Sequence, residues 1–231
     1  MKAMLLAAGL GTRLRPLTQT IPKCLVPIKG KPLLKFWLEN LSRAGISEIF
    51  INTHYKADQV VDFIRFSEYV DQVKLIYEKE LSGTAGTLIQ NLKFFMNEDV
   101  LLIHADNYCL EEIKNLIQAH QRRPKNCLMT MMTFRTEDPT SCGIVEVDEH
   151  GVVIGFHEKV KFPPGNLANG AVYLLSAELL DKIGSEMNTF KDFSKEVISS
   201  LVGKIFIYET TEIFIDIGTE PNYKLANEEK G

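Results

Sequence analysis

The sequence predicts an α/β fold built on a doubly wound, mostly parallel sheet. Strand-like apolar runs alternate with helix-period patterns through the first half of the chain, the order of consecutive βαβ units. Proline and glycine punctuate those patterns where helices should start and stop. The 231 residues, 45% of them hydrophobic, supply one sizeable core and are too few for two independent domains of ordinary size. A single domain over residues 1–231 is therefore expected, with no internal repeat or low-complexity linker to divide it.

Element by element, the first strand is Ala3 to Ala7. A helix follows over Leu33 to Ala44, opened by Pro32 and closed by Gly45 just past its last apolar residue. Strand Ile49 to Thr53, helix Asp58 to Phe66 and strand Val73 to Tyr77 continue the alternation. A helix from about Thr84 to Phe95 leads into strand Val100 to His104, and another lies near Glu111 to His120. The pattern then changes. Strand Cys127 to Phe134 precedes two alternating segments, Gly143 to Asp148 and Val152 to His157, around Glu149-His150-Gly151. That arrangement predicts an antiparallel hairpin and makes the Rossmann-like sheet a mixed one. A strand at Ala171 to Leu175, helical patterns at Ala177 to Ile183 and Phe190 to Leu201, and short strands near Ile205 and Ile213 follow. Thr219 is a candidate cap for a final helix with Pro221 in its first turn.

A net charge of -4 and the absence of any basic run argue against a surface that neutralises a nucleic-acid backbone. Cys24, Cys109, Cys127 and Cys142 are widely spaced without a C-x-x-C pair, so they read as reduced, mostly buried thiols. The apolar start, Met1 to Ala8, breaks at Gly9-Leu10-Gly11 without a cleavage region, and no later run nears the ~18 apolar residues that span a membrane. A cytoplasmic chain without membrane attachment is expected.

Gly9-Leu10-Gly11-Thr12-Arg13-Leu14-Arg15-Pro16-Leu17-Thr18 follows the first strand directly. Glycines let backbone N–H groups approach a phosphate, and ligands bind at the carboxyl ends of strands in such sheets. Neither standard nucleotide motif fits, because Leu14 stands where a dinucleotide fingerprint needs a small residue and no P-loop pattern occurs. Alone, the segment reads equally as a glycine turn with solvated arginines. In Ile21-Pro22-Lys23-Cys24-Leu25-Val26-Pro27-Ile28 two prolines stiffen the backbone around a lysine, a phosphate clamp or else an exposed loop residue.

Together with Gly30-Lys31-Pro32-Leu33-Leu34, these segments resemble the N-terminal signature of the sugar-phosphate nucleotidylyltransferases. The resemblance continues through Leu81-Ser82-Gly83-Thr84-Ala85-Gly86-Thr87, Ala105-Asp106-Asn107, Cys142-Gly143-Ile144-Val145, Glu158-Lys159, Asn169-Gly170-Ala171-Val172-Tyr173 and Ile215-Asp216-Ile217-Gly218-Thr219. The pattern looks most like mannose-1-phosphate or heptose-1-phosphate guanylyltransferases.

The resemblance implies a nucleotide-binding half over about 1–110 and a sugar-phosphate-binding half over about 111–231. It implies that Leu6, Ala8, Gly9, Gly11 and Thr12 line the nucleotide, with Arg13 on the triphosphate tail and Lys23 on the α-phosphate. Asp106 and Asp216 would hold Mg²⁺, which takes one or two carboxylates plus substrate oxygens. Gly143, Glu158, Lys159 and Asn169, with Asp106, would receive the sugar 1-phosphate. Without the rest of the pattern, Asp106-Asn107 reads as a turn and Glu158-Lys159 as a solvated charge pair. The resemblance also implies nucleotide contacts for Gly83 and Glu78, with Glu78 at the position of a base-contacting side chain. A carboxylate at 78 only accepts hydrogen bonds, which suits the two adjacent donors of guanine. The alternative is an exposed charge at a strand end.

Three positions depart from the family pattern: Cys24 stands for proline, Ala105 for glycine and Val160 for proline. His104 and His157 read as packing residues, and Trp37 as core. The implied reaction is attack of a sugar 1-phosphate oxygen on the α-phosphorus of a nucleoside triphosphate, GTP foremost, with pyrophosphate leaving. The sequence ends soon after Thr219, so no β-helical extension or acetyl transfer is expected. Oligomeric state is left open, a homo-oligomer included. Two other readings stay open, a non-catalytic relative that binds nucleotide and a transferase using UTP, dTTP or CTP, acting on another sugar or on an alcohol phosphate such as phosphocholine.

Overall fold

The structure, a computed structural model, describes residues 1–95 and 97–228. It forms two compact units, Met1–Leu81 with Ile103–Ile113 and Glu212–Gly231, and Ser82–Leu102 with Lys114–Thr211. The chain therefore leaves the first unit twice and returns to it.

In the first unit, strands Lys2–Leu6, Ile49–Thr53 and Val73–Tyr77 are parallel, with Ile49–Thr53 in the middle. All five positions of that strand are buried, as expected for a parallel strand covered on both faces. Helix Leu33–Arg43 starts after Pro32 and buries Leu33, Leu34, Trp37, Leu38 and Leu41 along one face. Gly45, at φ 78°, takes the left-handed position that ends it. Helix Ala57–Arg65 follows the middle strand. Ala105 N donates to Leu6 O at 3.1 Å, which sets the exit of strand Val100–His104 beside that of the first strand.

Two short pairings were not visible in the sequence. Pro27–Ile28 pairs antiparallel with Lys31–Pro32, and Asn107–Cys109 pairs antiparallel with Phe214–Asp216, Asp216 opposite Asn107. Leu14, Val26, Ile28, Leu33, Tyr108, Ile215, Ile217 and Ala226 pack into a cluster beneath these segments. Thr219 caps helix Glu220–Glu228, its hydroxyl accepting from Asn222 N at 3.4 Å.

In the second unit, Met129–Arg135 runs antiparallel to Leu167–Leu175 and parallel to Ile205–Glu209. The expected hairpin is present as Gly143–Val147 against Val153–Glu158, with a register shift between Val153 and Gly155. Helix Thr84–Gln90 is shorter than the sequence pattern suggests. The buried Asn91 amide donates to Thr87 O at 2.8 Å, while Asn91 N turns to Leu88 O, so the chain tightens into the turn Leu92–Phe94. Likewise Phe190 to Leu201 narrows to a π-helical segment, Phe193–Ile198, capped by Asp192. Among the described residues no helix is long and apolar enough to cross a membrane. Cys24, Cys109 and Cys127 are buried, Cys142 is partly so, and none forms a disulfide.

Candidate functional site

The glycine loop leaves the first strand and folds back on itself. Gly11 sits at φ 61°, where a Cβ would lie 2.9 Å from Thr18 Cγ2 and 3.2 Å from Lys23 Cβ. The fully buried Thr18 donates its hydroxyl to Gly11 O at 2.7 Å, and Tyr55 donates to Thr18 O at 3.0 Å. Leu14 is buried as an anchor, whereas Gly9, Thr12 and Arg13 are exposed and available to a ligand. Ala8 is buried and Leu6 partly so. Gly11→Ala is expected to destabilise the fold by at least about 1–2 kcal/mol, the cost of left-handed backbone for an L-residue, before any clash is counted. A thermal melt checks this, and an unchanged Tm would show that the loop does not depend on that backbone geometry.

Lys23 and the two aspartates meet in this same unit. Lys23 is only 7% exposed, yet its Nζ lies 2.6 Å from Asp106 Oδ2 and 3.5 Å from Asp216 Oδ1. An ammonium so far from water needs such partners. Burial raises the Asp106 carboxyl, but Lys23 and His104 outweigh it and hold the group below the usual carboxylate range. The strand pair Asn107–Cys109 and Phe214–Asp216 brings the acids together, and Ile217 N donates to Asp106 O at 3.1 Å. Arg13 reaches the same place, since a Cβ on Gly218 would lie 2.8 Å from Arg13 Nη2 and 3.0 Å from Asp216 Oδ1. Two carboxylates are a hard oxygen set that suits Mg²⁺ when substrate phosphates complete the shell. Among the described residues no group of three or more potential metal ligands occurs.

Glu78 is buried, at 6% exposure, so the solvated-charge alternative does not hold. Its Oε1 accepts from Asn52 Nδ2 at 3.0 Å, and Asn52 Oδ1 accepts from Ala7 N at 2.7 Å.

The second unit holds the remaining expected residues. Gly83, at φ 82°, packs against Lys191 O so closely that a Cβ would collide with it. Gly143 stands opposite Glu158 in the hairpin, and a Cβ there would meet Glu158 Oε2 at 2.6 Å and Phe156 Cζ at 2.8 Å. Lys159 is exposed, with its Nζ 3.9 Å from Glu158 Oε1. A register shift between Asn169 and Tyr173, with Ala171 at φ 52°, turns Asn169 into a local network. Its Oδ1 accepts from Ala171 N at 2.9 Å and its Nδ2 donates to Tyr173 Oη at 2.8 Å.

Burial raises the Glu158 carboxyl above its ordinary value of 4.5. An acid raised by folding binds its proton more tightly in the native state, so stability is lost as pH climbs from the ordinary value through the raised one. Glu158→Gln is therefore expected to match wild type in Tm near about pH 4 and to exceed it near about pH 7. Parallel melting curves across that range check the sign.

The structure thus gathers Gly9, Gly11, Thr12, Arg13, Lys23, Asp106 and Asp216 in the first unit, with Glu78 there through Asn52. Gly143, Glu158, Lys159 and Asn169 lie in the second. Sequence reasoning missed Thr18, Asn52 and Gly218. Asn52 carried a signal, a lone amide within the apolar strand Ile49–Thr53. His157, expected to pack, instead holds Glu146 Oε1 at 2.6 Å on a half-exposed face. Trp37 is core, its Nε1 donating to Asn107 O at 2.9 Å.

Among known families, the one described as nucleotidyl transferase matches residues 2–230. The chain is 33% identical over 224 residues to the D-glycero-alpha-D-manno-heptose 1-phosphate guanylyltransferase of Campylobacter jejuni, covering 96% of this chain and 97% of that protein. It is 30% identical over 228 residues to the mannose-1-phosphate guanylyltransferase catalytic subunit beta of Drosophila melanogaster, covering 96% of this chain and 60% of that protein. The chain thus spans about three fifths of the length of such relatives. Among solved structures, HddC from Yersinia pseudotuberculosis complexed with GMP-PN superposes with a TM-score of 0.80 at 28% identity, covering 98% of each chain.

Proposed function

This chain belongs to the nucleotidyl transferase family, and on that premise we propose that it transfers a nucleotidyl group, GMP from GTP, to a mannose- or heptose-type sugar 1-phosphate, with release of pyrophosphate. The observation that carries this reading is Lys23 bridging Asp106 and Asp216 beside the Gly9–Arg13 loop, a cation, an acid pair and exposed backbone donors in one place.

In this reading a sugar-phosphate oxygen forms a bond to the α-phosphorus as the bond to pyrophosphate breaks, and the protein's part is positioning and charge compensation. The loop receives the triphosphate, Arg13 meets its tail, and Lys23 offsets charge at the α-phosphate. Asp106 and Asp216 would hold a Mg²⁺, which would supply charge neutralisation at the phosphate oxygens. Glu158, Lys159 and Asn169 serve the sugar phosphate, where carboxylate and amide suit hydroxyls and the ammonium suits the phosphate. Two features of the chain support the accompanying assignments. A net charge of -4 suits small-molecule partners better than nucleic acid, and four cysteines outside any disulfide suit the cytoplasm.

The reading is tested by pyrophosphate release measured over a grid of nucleoside triphosphates and sugar 1-phosphates with Mg²⁺. Release is expected with GTP and a mannose- or heptose-type acceptor. Release only with UTP, dTTP or CTP would move the base assignment, and release with none would support a nucleotide-binding relative without turnover.

A further inference from the structure

Asn52 is an anomaly within its strand. Its register neighbours are Leu6 on one side and Ile76 on the other, the strand is buried throughout, and Asn52 itself is 4% exposed. An amide in such a place costs free energy unless its hydrogen bonds are met, whereas valine or isoleucine would pack without that demand. The amide also has only one chemically consistent orientation. A backbone N–H can only donate, so the atom facing Ala7 N at 2.7 Å is Oδ1, and the atom 3.0 Å from Glu78 Oε1 is the donating Nδ2.

The backbone of Glu78 is held independently of that amide. Glu78 N donates to Thr53 O at 2.8 Å, and Glu78 O lies 2.9 Å from His54 Nδ1. The bond from Asn52 is therefore directed at the side chain. It ties the carboxylate to Ala7, the residue that opens the phosphate loop. A flexible acidic side chain reads a base well only if its oxygens are fixed before the base arrives.

We propose that Asn52 is the positioning residue for base selectivity, orienting the Glu78 carboxylate and tying it to the start of the phosphate loop. The inference rests on the nucleotidyl-transfer reading and on Glu78 as the base-side residue. Asn52 acts only through Glu78, and a simple strand residue would leave the choice of base untouched.

The test compares wild type, Asn52→Leu, Glu78→Ala and the double variant. Asn52→Leu removes the donor toward Glu78 without adding charge; Asn52→Asp, measured beside it, keeps an oxygen for Ala7 N but sets a second carboxyl against Glu78. The readout is the ratio of kcat/KM for GTP to that for UTP, with the ratio of their binding constants measured in parallel so that selectivity is read with or without turnover. A general loss of stability moves both nucleotides together and leaves the ratios alone. The Asn52 variant is expected to lose on the order of tenfold in the GTP:UTP ratio, the scale of one hydrogen bond. Added to Glu78→Ala, it is expected to change the ratio no further. An unchanged ratio in the Asn52 variants, or an equal shift with and without Glu78, overturns the inference while leaving Glu78 as base reader if Glu78→Ala shifts the ratio. Indifference of the ratio to Glu78→Ala overturns the base-reading role itself, and this inference with it.

Discussion

Asp106→Asn and Asp216→Asn are each expected to lower nucleotidyl transfer at least ~10²-fold, the scale of one lost preorganised electrostatic contact. Both acids lie against the Lys23 ammonium at 2.6 and 3.5 Å and are joined by an antiparallel strand pair, so each substitution leaves the backbone arrangement in place. Asparagine keeps the volume and an oxygen but not the charge. Folding should survive because Lys23 retains the other carboxylate, although Asp106→Asn removes the shorter contact and should cost more stability. Turnover and Tm measured against Mg²⁺ concentration separate the two effects. Near-normal Mg²⁺-dependent turnover in either variant would remove that residue from the site.

Lys23→Ala is expected to reduce turnover more than it weakens triphosphate binding, because its partner phosphate is the one whose charge redistributes during transfer. A second readout needs no turnover. The buried Lys23 lies against both carboxylates, and its removal takes away the cation they share, leaving His104 near Asp106 and Arg13 near Asp216. Mg²⁺ should then raise Tm more in the variant than in wild type, since a bound cation replaces a charge that wild type already has. Equal Mg²⁺-induced shifts would show that lysine and metal do not share these carboxylates. An unchanged rate at saturating substrate would show that Lys23 is not a clamp.

Local chemistry made much of the molecule readable in advance. Pro32 and Gly45 bound the first long helix where sequence reasoning puts its ends, because each acts through its own backbone. The Ile49–Thr53 and Val73–Tyr77 strands are found at the expected limits, since a short β-branched and aromatic run between turn residues has few other uses. Helix Thr84–Gln90 ended early through a side chain that competes with the backbone for Thr87 O, and a periodicity argument does not weigh that competition.

By itself the sequence determined the α/β class, the glycine loop after the first strand and the identity of the charged residues, since periodicity, turn chemistry and side-chain charge are local properties. Only the tertiary structure decided which of those charges meet. Lys23 and Asp216 stand 193 positions apart in the chain, and nothing local brings them within 3.5 Å. The pairing of Asn107–Cys109 with Phe214–Asp216 does so, and although a short strand near Ile213 is legible in the sequence, its partner is not. The same holds for Asn52 and Glu78, 26 positions apart, which face each other because adjacent parallel strands end at one level. Burial then decides what the charges are worth, because Lys23 and Glu78, read from sequence as residues that water could equally claim, interact far more strongly once the fold removes the water.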